Sequence, residues 1–236
     1  MHRTVFKYLL LIILPVSFFQ SGCETNEIDP ESERMGYDFY PLATGLYRDY
    51  RIQHILHILS QEPDTSNYYL REYVMDSAVN MEGGYTYTLA RYTRDSINHD
   101  WTLDSLWKAE KNNKFVRVTE NNVPYVKLVF PVTEGKSWDG NAYNNLEEKN
   151  YIMQNAYIPY QVSDHTYEES VTVIHEYIPD TMVRYINKTE VFAENVGLIY
   201  KGYTDLKYCT NNDCYSFGII ENGYEIYQRL IGYGKD

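Results

Sequence analysis

Basic residues are scarce in this chain. Its 236 residues hold 21 lysines and arginines against 33 aspartates and glutamates. No stripe of positive charge is available to neutralise phosphates, which excludes nucleic acid as a partner. Cysteine is scarcer, with three copies, and no second pair or nearby histidine completes a zinc site. Long apolar stripes of 3.6-residue period are missing, which argues against a helical fold. Gly-x-Ser-x-Gly, His-Glu-x-x-His and a phosphate loop are missing as well, so no motif announces a catalytic residue, a metal site or a cofactor. The histidines add little. His54 and His57 are three apart, which on a strand puts them on opposite faces, and His99, His165 and His175 are scattered.

Tyrosine is abundant, at 26 copies spread along the whole chain. Its ring packs on a pleated surface while its hydroxyl reaches water, so the excess favours strands. Two uses follow: a tyrosine-rich sheet surface, or a face on which sugar rings stack. Alternation of side chains is clear over residues 68–79, where Tyr69, Arg71, Tyr73 and Met75 share one face. Residues 84–94 repeat the pattern, and Gly83-Gly84 marks a hairpin turn between the two. Further strands are expected over 45–59, 103–110, 114–119, 124–130, 150–157, 169–178, 182–193, 196–208, 215–221 and 224–231. Breaks are expected at Asn112-Asn113, Asn121-Asn122, Pro179-Asp180 and Asn222-Gly223, and residues 141–149 suit one short helix. The sum is an all-β fold: an antiparallel sandwich, an open barrel or a strongly curved sheet.

The N-terminus is of a different kind. Arg3 and Lys7 precede an apolar run over residues 8–19. A membrane span needs roughly 20 apolar residues, so this run reads as a signal peptide over residues 1–22. Ser21-Gly22-Cys23 resembles the lipobox of bacterial lipoproteins, with Gln20 in the aliphatic position, as in the looser lipoboxes of the Bacteroidota. The resemblance implies cleavage before Cys23 and acyl chains such as palmitate on it. It also implies an outer-membrane protein held on the periplasmic or cell-surface side. Loss of Arg3 and Lys7 with the leader takes the net charge from −12 to −14. Anionic headgroups repel such a chain, so the acyl chains must hold it, at about 0.8 kcal/mol per buried CH₂. Residues 23–38 read as an acidic, lipidated tether, in which Glu24, Glu27 and Asp29 resemble a surface-export signal.

Residues 39–236 then form one β-rich domain. Tyr40-Pro41-Leu42-Ala43-Thr44-Gly45 lines up with Phe130-Pro131-Val132-Thr133-Glu134-Gly135, each followed by an aromatic residue, Tyr47 or Trp138. That opening is similar to one found in β-rich bacterial lipoproteins, and it hints at two related halves, 39–128 and 129–236.

Cys209 and Cys214 enclose four turn-forming residues between strand-like flanks, which suits a structural disulfide across a hairpin. That pairing leaves Cys23 the odd cysteine out. Asp139, Asn141 and Asn144 offer oxygens for calcium, although their spacing is not that of an EF-hand loop and turns use the same residues. Asp76-Ser77-Ala78, Asp95-Ser96-Ile97, Asp104-Ser105-Leu106 and Asp180-Thr181-Met182 resemble sites that Bacteroidota O-glycosylate, which implies sugars on Ser77, Ser96, Ser105 and Thr181.

Three functional readings remain. The favoured one is a non-enzymatic binding or accessory module for a glycan or an envelope protein. A second is a carrier of lipid or another hydrophobic ligand in an apolar cavity. The third is a secreted hydrolase using Asp164, Glu168 and Glu169, whose carboxyls would have to converge at about 5–9.5 Å.

Overall fold

The computed structural model describes residues 35–81, 83–211, 214–215 and 217–236. The expected signal peptide, the lipidation site Cys23 and tether residues 24–34 lie outside the described residues. Among the described residues, helical structure is limited to Met35 and a 3-10 turn, Tyr37–Phe39. Six strands follow in the first half: β1 (Leu46–Ile58), β2 (Asp64–Val79), β3 (Tyr85–Arg94), β4 (Thr102–Lys111), β5 (Phe115–Glu120) and β6 (Val123–Val129). The second half holds β7 (Ser137–Asp139), β8 (Asn150–Gln154), β9 (Tyr160–Val162), β10 (His165–Tyr167), β11 (Ser170–Pro179), β12 (Arg184–Ala193), β13 (Gly197–Tyr208) and β14 (Ile220–Lys235).

Twelve strands form one antiparallel sheet in the order β6-β5-β4-β3-β2-β1-β14-β13-β12-β11-β8-β7, and β9 and β10 form a separate hairpin. The sheet curls until its edge strands nearly meet. The Val126 amide donates to the Gly140 carbonyl at 2.9 Å, and Trp138 Nε1 donates to the Val126 carbonyl at 2.8 Å. The all-β expectation therefore holds as an almost closed barrel, not a sandwich. Its largest core cluster gathers Phe39, Val74, Leu89, Val116, Leu128, Phe130, Met153, Val171 and Phe192 from around the sheet. A second cluster joins Tyr50, Ile52, Leu70, Val191 and Leu230 to Val162 of the β9–β10 hairpin.

The recurring Pro-Gly segments lie at corresponding places. Tyr40 and Phe130 both enter the larger core cluster. The Gly45 amide donates to the Val74 carbonyl of β2, and the Gly135 amide to the Met153 carbonyl of β8, each at 2.9 Å. Residues 35–38, expected as the end of the tether, are packed: Tyr37 meets Phe130 edge-on with ring centroids 4.8 Å apart, and the Val132 amide donates to the Met35 carbonyl.

Two local expectations are overturned. Asn222-Gly223 does not break a hairpin but lies inside β14. Ladders on both sides carry the strand through: Asn222 and Gly223 face Ile58 and His57 of β1, and Lys207 and Leu206 of β13. A Cβ on Gly223 would sit 2.3 Å from the Asp205 carbonyl oxygen, so glycine here serves close strand approach, not a turn. Consequently the second arm of the disulfide hairpin starts at Ile220, which pairs with Tyr208, and not at Tyr215. Residues 141–149 form turns instead of a helix, because side-chain caps divert their backbone amides. Asp139 Oδ1 accepts from the amides of Asn141 and Lys149, and Asn144 Oδ1 from that of Leu146.

Phe192 is 1% exposed in the larger cluster. Phe192→Ala should cost about 3–5 kcal/mol by leaving a cavity. The expected result in urea unfolding is a lower midpoint with an unchanged slope.

Candidate functional site

Two polar regions stand out, one inside the barrel and one outside it. Inside, Lys127 of β6 is 6% exposed and Glu190 of β12 is 1% exposed. Lys127 Nζ donates to Glu190 Oε1 at 2.7 Å and to Glu120 Oε1 of β5 at 3.0 Å. Lys201 of β13 approaches the same Glu190 oxygen at 3.6 Å. Burial alone would raise the Glu190 carboxyl, but Lys127, with His175 and Lys201, outweighs it and holds the group well below its ordinary range. Burial would likewise raise Glu120, and the two ammonium groups bring it below its ordinary value. Burial would lower Lys127, and the carboxylates of Glu120 and Glu190 raise it instead.

His175 of β11 completes the cluster. Its ring stacks on Tyr151 at 3.9 Å, and the Tyr203 hydroxyl stands 2.8 Å from Nδ1. Its Nε2 lies 3.4 Å from Glu190 Oε2, and neither atom has another partner. The Tyr203 hydroxyl also stands 3.0 Å from Glu190 Oε1, so its single proton goes either to that carboxylate or to His175 Nδ1. Burial holds the imidazole below 6.5, with Lys127 and Lys201 adding to the effect against Glu190. The adjoining interior space is about 30 Å³ and is lined by Arg48, Glu72, Arg91, Lys127 and Glu190. That is room for a water molecule, not an acyl chain. A wider mouth of about 360 Å³ opens beside Lys149 and Lys188, whose ammonium groups are held by Glu176, and by Asp205 as well in the case of Lys188. Lys127, Glu120, Glu190, Arg48 and Glu72 are thus paired with one another. Arg91 Nε and Trp107 Nε1 beside them have no hydrogen-bond partner, and the Arg91 guanidinium lies over the Trp107 ring at 3.7 Å.

The outer region is open. On β12, β13 and β14 the register sets Thr189, Gly202 and Tyr227 in one row, and Asn187, Thr204 and Glu225 in the next. Flanking rows bring Tyr200 at one end and Tyr185 and Leu206 at the other. Small side chains in the middle and large ones around them turn a convex barrel wall into a groove of about 460 Å³. Tyr160 of β9 adds a wall, tilted against Tyr200 at 5.9 Å. Gly202 allows the Tyr200 ring to lie down, since a Cβ there would meet the Tyr200 hydroxyl at 2.4 Å. Glu225 is held on both oxygens, by His57 Nε2 at 2.9 Å and by the Tyr227 hydroxyl.

Few residues singled out in the sequence meet here. Thr181 lines the groove and is exposed, Ser77 is exposed on β2, and Ser96 and Ser105 are half-buried. Cys209 and Cys214 are bonded, with Cα atoms 5.8 Å apart, beyond the groove at the end of β13. Asp164, Glu168 and Glu169 are all exposed around the β9–β10 hairpin, so they do not form the buried acid–base pair a hydrolase needs. The oxygens considered for calcium cap the 139–149 turns instead, and no metal-ligating cluster occurs among the described residues. Sequence reasoning missed the groove and the Lys127 cluster. The one signal for the groove was the alternation Tyr200, Gly202, Thr204, Leu206, which places a glycine amid aromatic and polar residues on one strand face.

The buried cluster makes stability depend on pH. Both His175 and Glu190 have lower values folded than unfolded, so the unfolded chain binds more protons as pH falls. Stability should decline below pH 6.5, the ordinary value for His, and more steeply below 4.5, that for Glu. Melting scans across pH should show both phases, and His175→Phe should remove only the first. Lys127→Met, which strands two carboxylates, should cost about 3–5 kcal/mol at neutral pH in chemical denaturation.

No protein-family model and no curated protein matches this chain. Among solved structures, the chain is similar to a protein from Parabacteroides distasonis that is described, provisionally, as a lipoprotein. The two share 10% identity, the match covers 83% of this chain and 98% of that one, and the TM-score is 0.37. A likeness of that grade carries no argument about activity.

Proposed function

We propose that this chain is a lipid-anchored envelope protein of the outer membrane that acts by binding, not catalysis, with the β12–β14 groove as its contact surface. The observation that carries the binding half is the groove itself. It is open, tyrosine-walled and polar-floored, whereas the charged interior leaves about 30 Å³ and its Lys127, Glu120 and Glu190 groups are paired internally. The anchoring half rests on Arg3, Lys7, the apolar run and Ser21-Gly22-Cys23, with Cys23 left over once Cys209 and Cys214 pair. The partner is a glycan or another envelope protein. The carrier alternative lacks support, because the interior space near Lys127 is small and charged. Sugars on Ser77, Ser96, Ser105 and Thr181 belong to the same proposal, and one on Thr181 would stand at the groove's rim.

Each half has its own measurement. Cys23→Ala should move the protein from the membrane fraction to the soluble fraction with an unchanged melting temperature; a variant that stays fully membrane-bound refutes the anchor. Thr189→Arg should fill the groove floor and reduce retention of envelope material by the immobilised protein at least tenfold. Retention equal to wild type, with the variant folded, would remove the groove as the contact surface.

A further inference from the structure

Which ligand suits the groove follows from the groups it offers and the groups it withholds, taking it as the contact surface proposed above. No lysine or arginine lines its floor. Arg229, the register partner of Tyr200 at one end, has its guanidinium over the Tyr227 ring at 5.0 Å. An anionic ligand therefore finds one cation, already held against a ring, at the edge of the groove. Its one carboxylate, Glu225, already accepts from His57 and Tyr227, which leaves little for an ammonium ligand. A peptide cannot add as a strand, because β13 is paired along its length with both β12 and β14. A purely apolar ligand would desolvate the floor hydroxyls and amide without replacing their hydrogen bonds.

What is offered is a set of flat rings around hydrogen-bonding groups. The Thr189 hydroxyl lies 2.9 Å from Asn187 Oδ1, which leaves the Asn187 amide N–H groups to face a ligand. Tyr200 to Leu206 spans about 20 Å of strand, and β12 to β14 about 10 Å across the sheet. The trough is therefore long and narrow. Aromatic rings take the C–H faces of a pyranose, and side-chain amides and hydroxyls take its equatorial oxygens.

We infer that the groove binds a neutral oligosaccharide, laid along β13 with one ring on Tyr200 and its hydroxyls on Asn187 and Thr189. Gly202 is a positioning residue: it sets the Tyr200 ring flat in the trough.

The test is calorimetric titration of the full-length protein in detergent with uncharged tetrasaccharides of glucose, mannose and xylose, beside a sulfated tetrasaccharide and choline. At least one neutral tetrasaccharide should bind with a Kd of about 1 mM or tighter. Tyr200→Ala and Gly202→Ala should each weaken that binding at least tenfold, and Tyr227→Phe, which keeps the ring, only a few-fold. Melting curves identify any variant that fails to fold, and Tyr227→Phe alone then decides, since full loss of binding there contradicts stacking. No binding by any neutral sugar, or binding that ignores Tyr200→Ala, overturns the inference. Tighter binding of the sulfated sugar or of choline overturns the neutral class. These results leave the proposed function standing, because that reading fails on Thr189→Arg retention and not on sugar identity.

Discussion

One buried ammonium group ties this barrel together. Lys127 lies on an edge strand, and its two carboxylate partners come from the neighbouring strand β5 and from β12, far around the sheet. An edge strand exposes unpaired backbone groups that invite aggregation. Here β6 is drawn inward by the Lys127–Glu190 contact, and its outer edge is covered by Gly140, Trp138 and Asn144, which bond the Val126 and Pro124 backbone. Replacing a buried ion pair with apolar groups is often neutral or stabilising. The pair therefore contributes most as a constraint on which strands may face each other. Only when β6 and β12 face each other across the interior do Glu120 and Glu190 share a counter-ion.

This interior leaves the outer wall as the place for the proposed binding surface. The barrel is filled at one end by Phe39, Phe130 and their neighbours and further along by charged groups around Lys127 and Arg48. Little free volume is left. The outer wall is convex, and a convex wall of alternating large side chains offers no concavity. A local run of small residues makes one. Across three central strands such a run occurs, Thr189, Gly202 and Thr204 with Asn187, and the tyrosines around it become walls.

The strands themselves were legible because alternation of side chains is local: β1 to β6, β11, β12 and β13 fall within a few residues of expectation. Errors arose where tertiary pairing outweighed local chemistry. Asn222-Gly223 has turn composition, yet its neighbours on β1 and β13 hold it extended. The three-residue strands β7, β9 and β10 are too short to show a period. The groove was not legible, since its members come from four strands and the β11–β12 turn, and meet only through register. Tyrosines spread along a chain say nothing about clustering until the ladder is known. Lys127 and Glu190 were hidden for the same reason, being ordinary charged residues 63 positions apart.

Gly202 lies under a tyrosine ring, as Gly234 does under Tyr47 and Gly140 under Tyr151. It sits buried in β13, with strands on both sides, where glycine weakens a strand and a β-branched residue would pack better. Unlike Gly223, it is not pressed by a neighbouring backbone; the nearest atoms to its missing Cβ all belong to the Tyr200 ring. The stability forgone at Gly202 is thus linked to the orientation of one aromatic ring. The Tyr200 ring, with Tyr160 tilted beside it, packs against the second core cluster, and hydroxyl and amide groups line the floor next to it. The ring's uncovered part, fixed in place by that packing, is the platform on which the proposed ligand would lie.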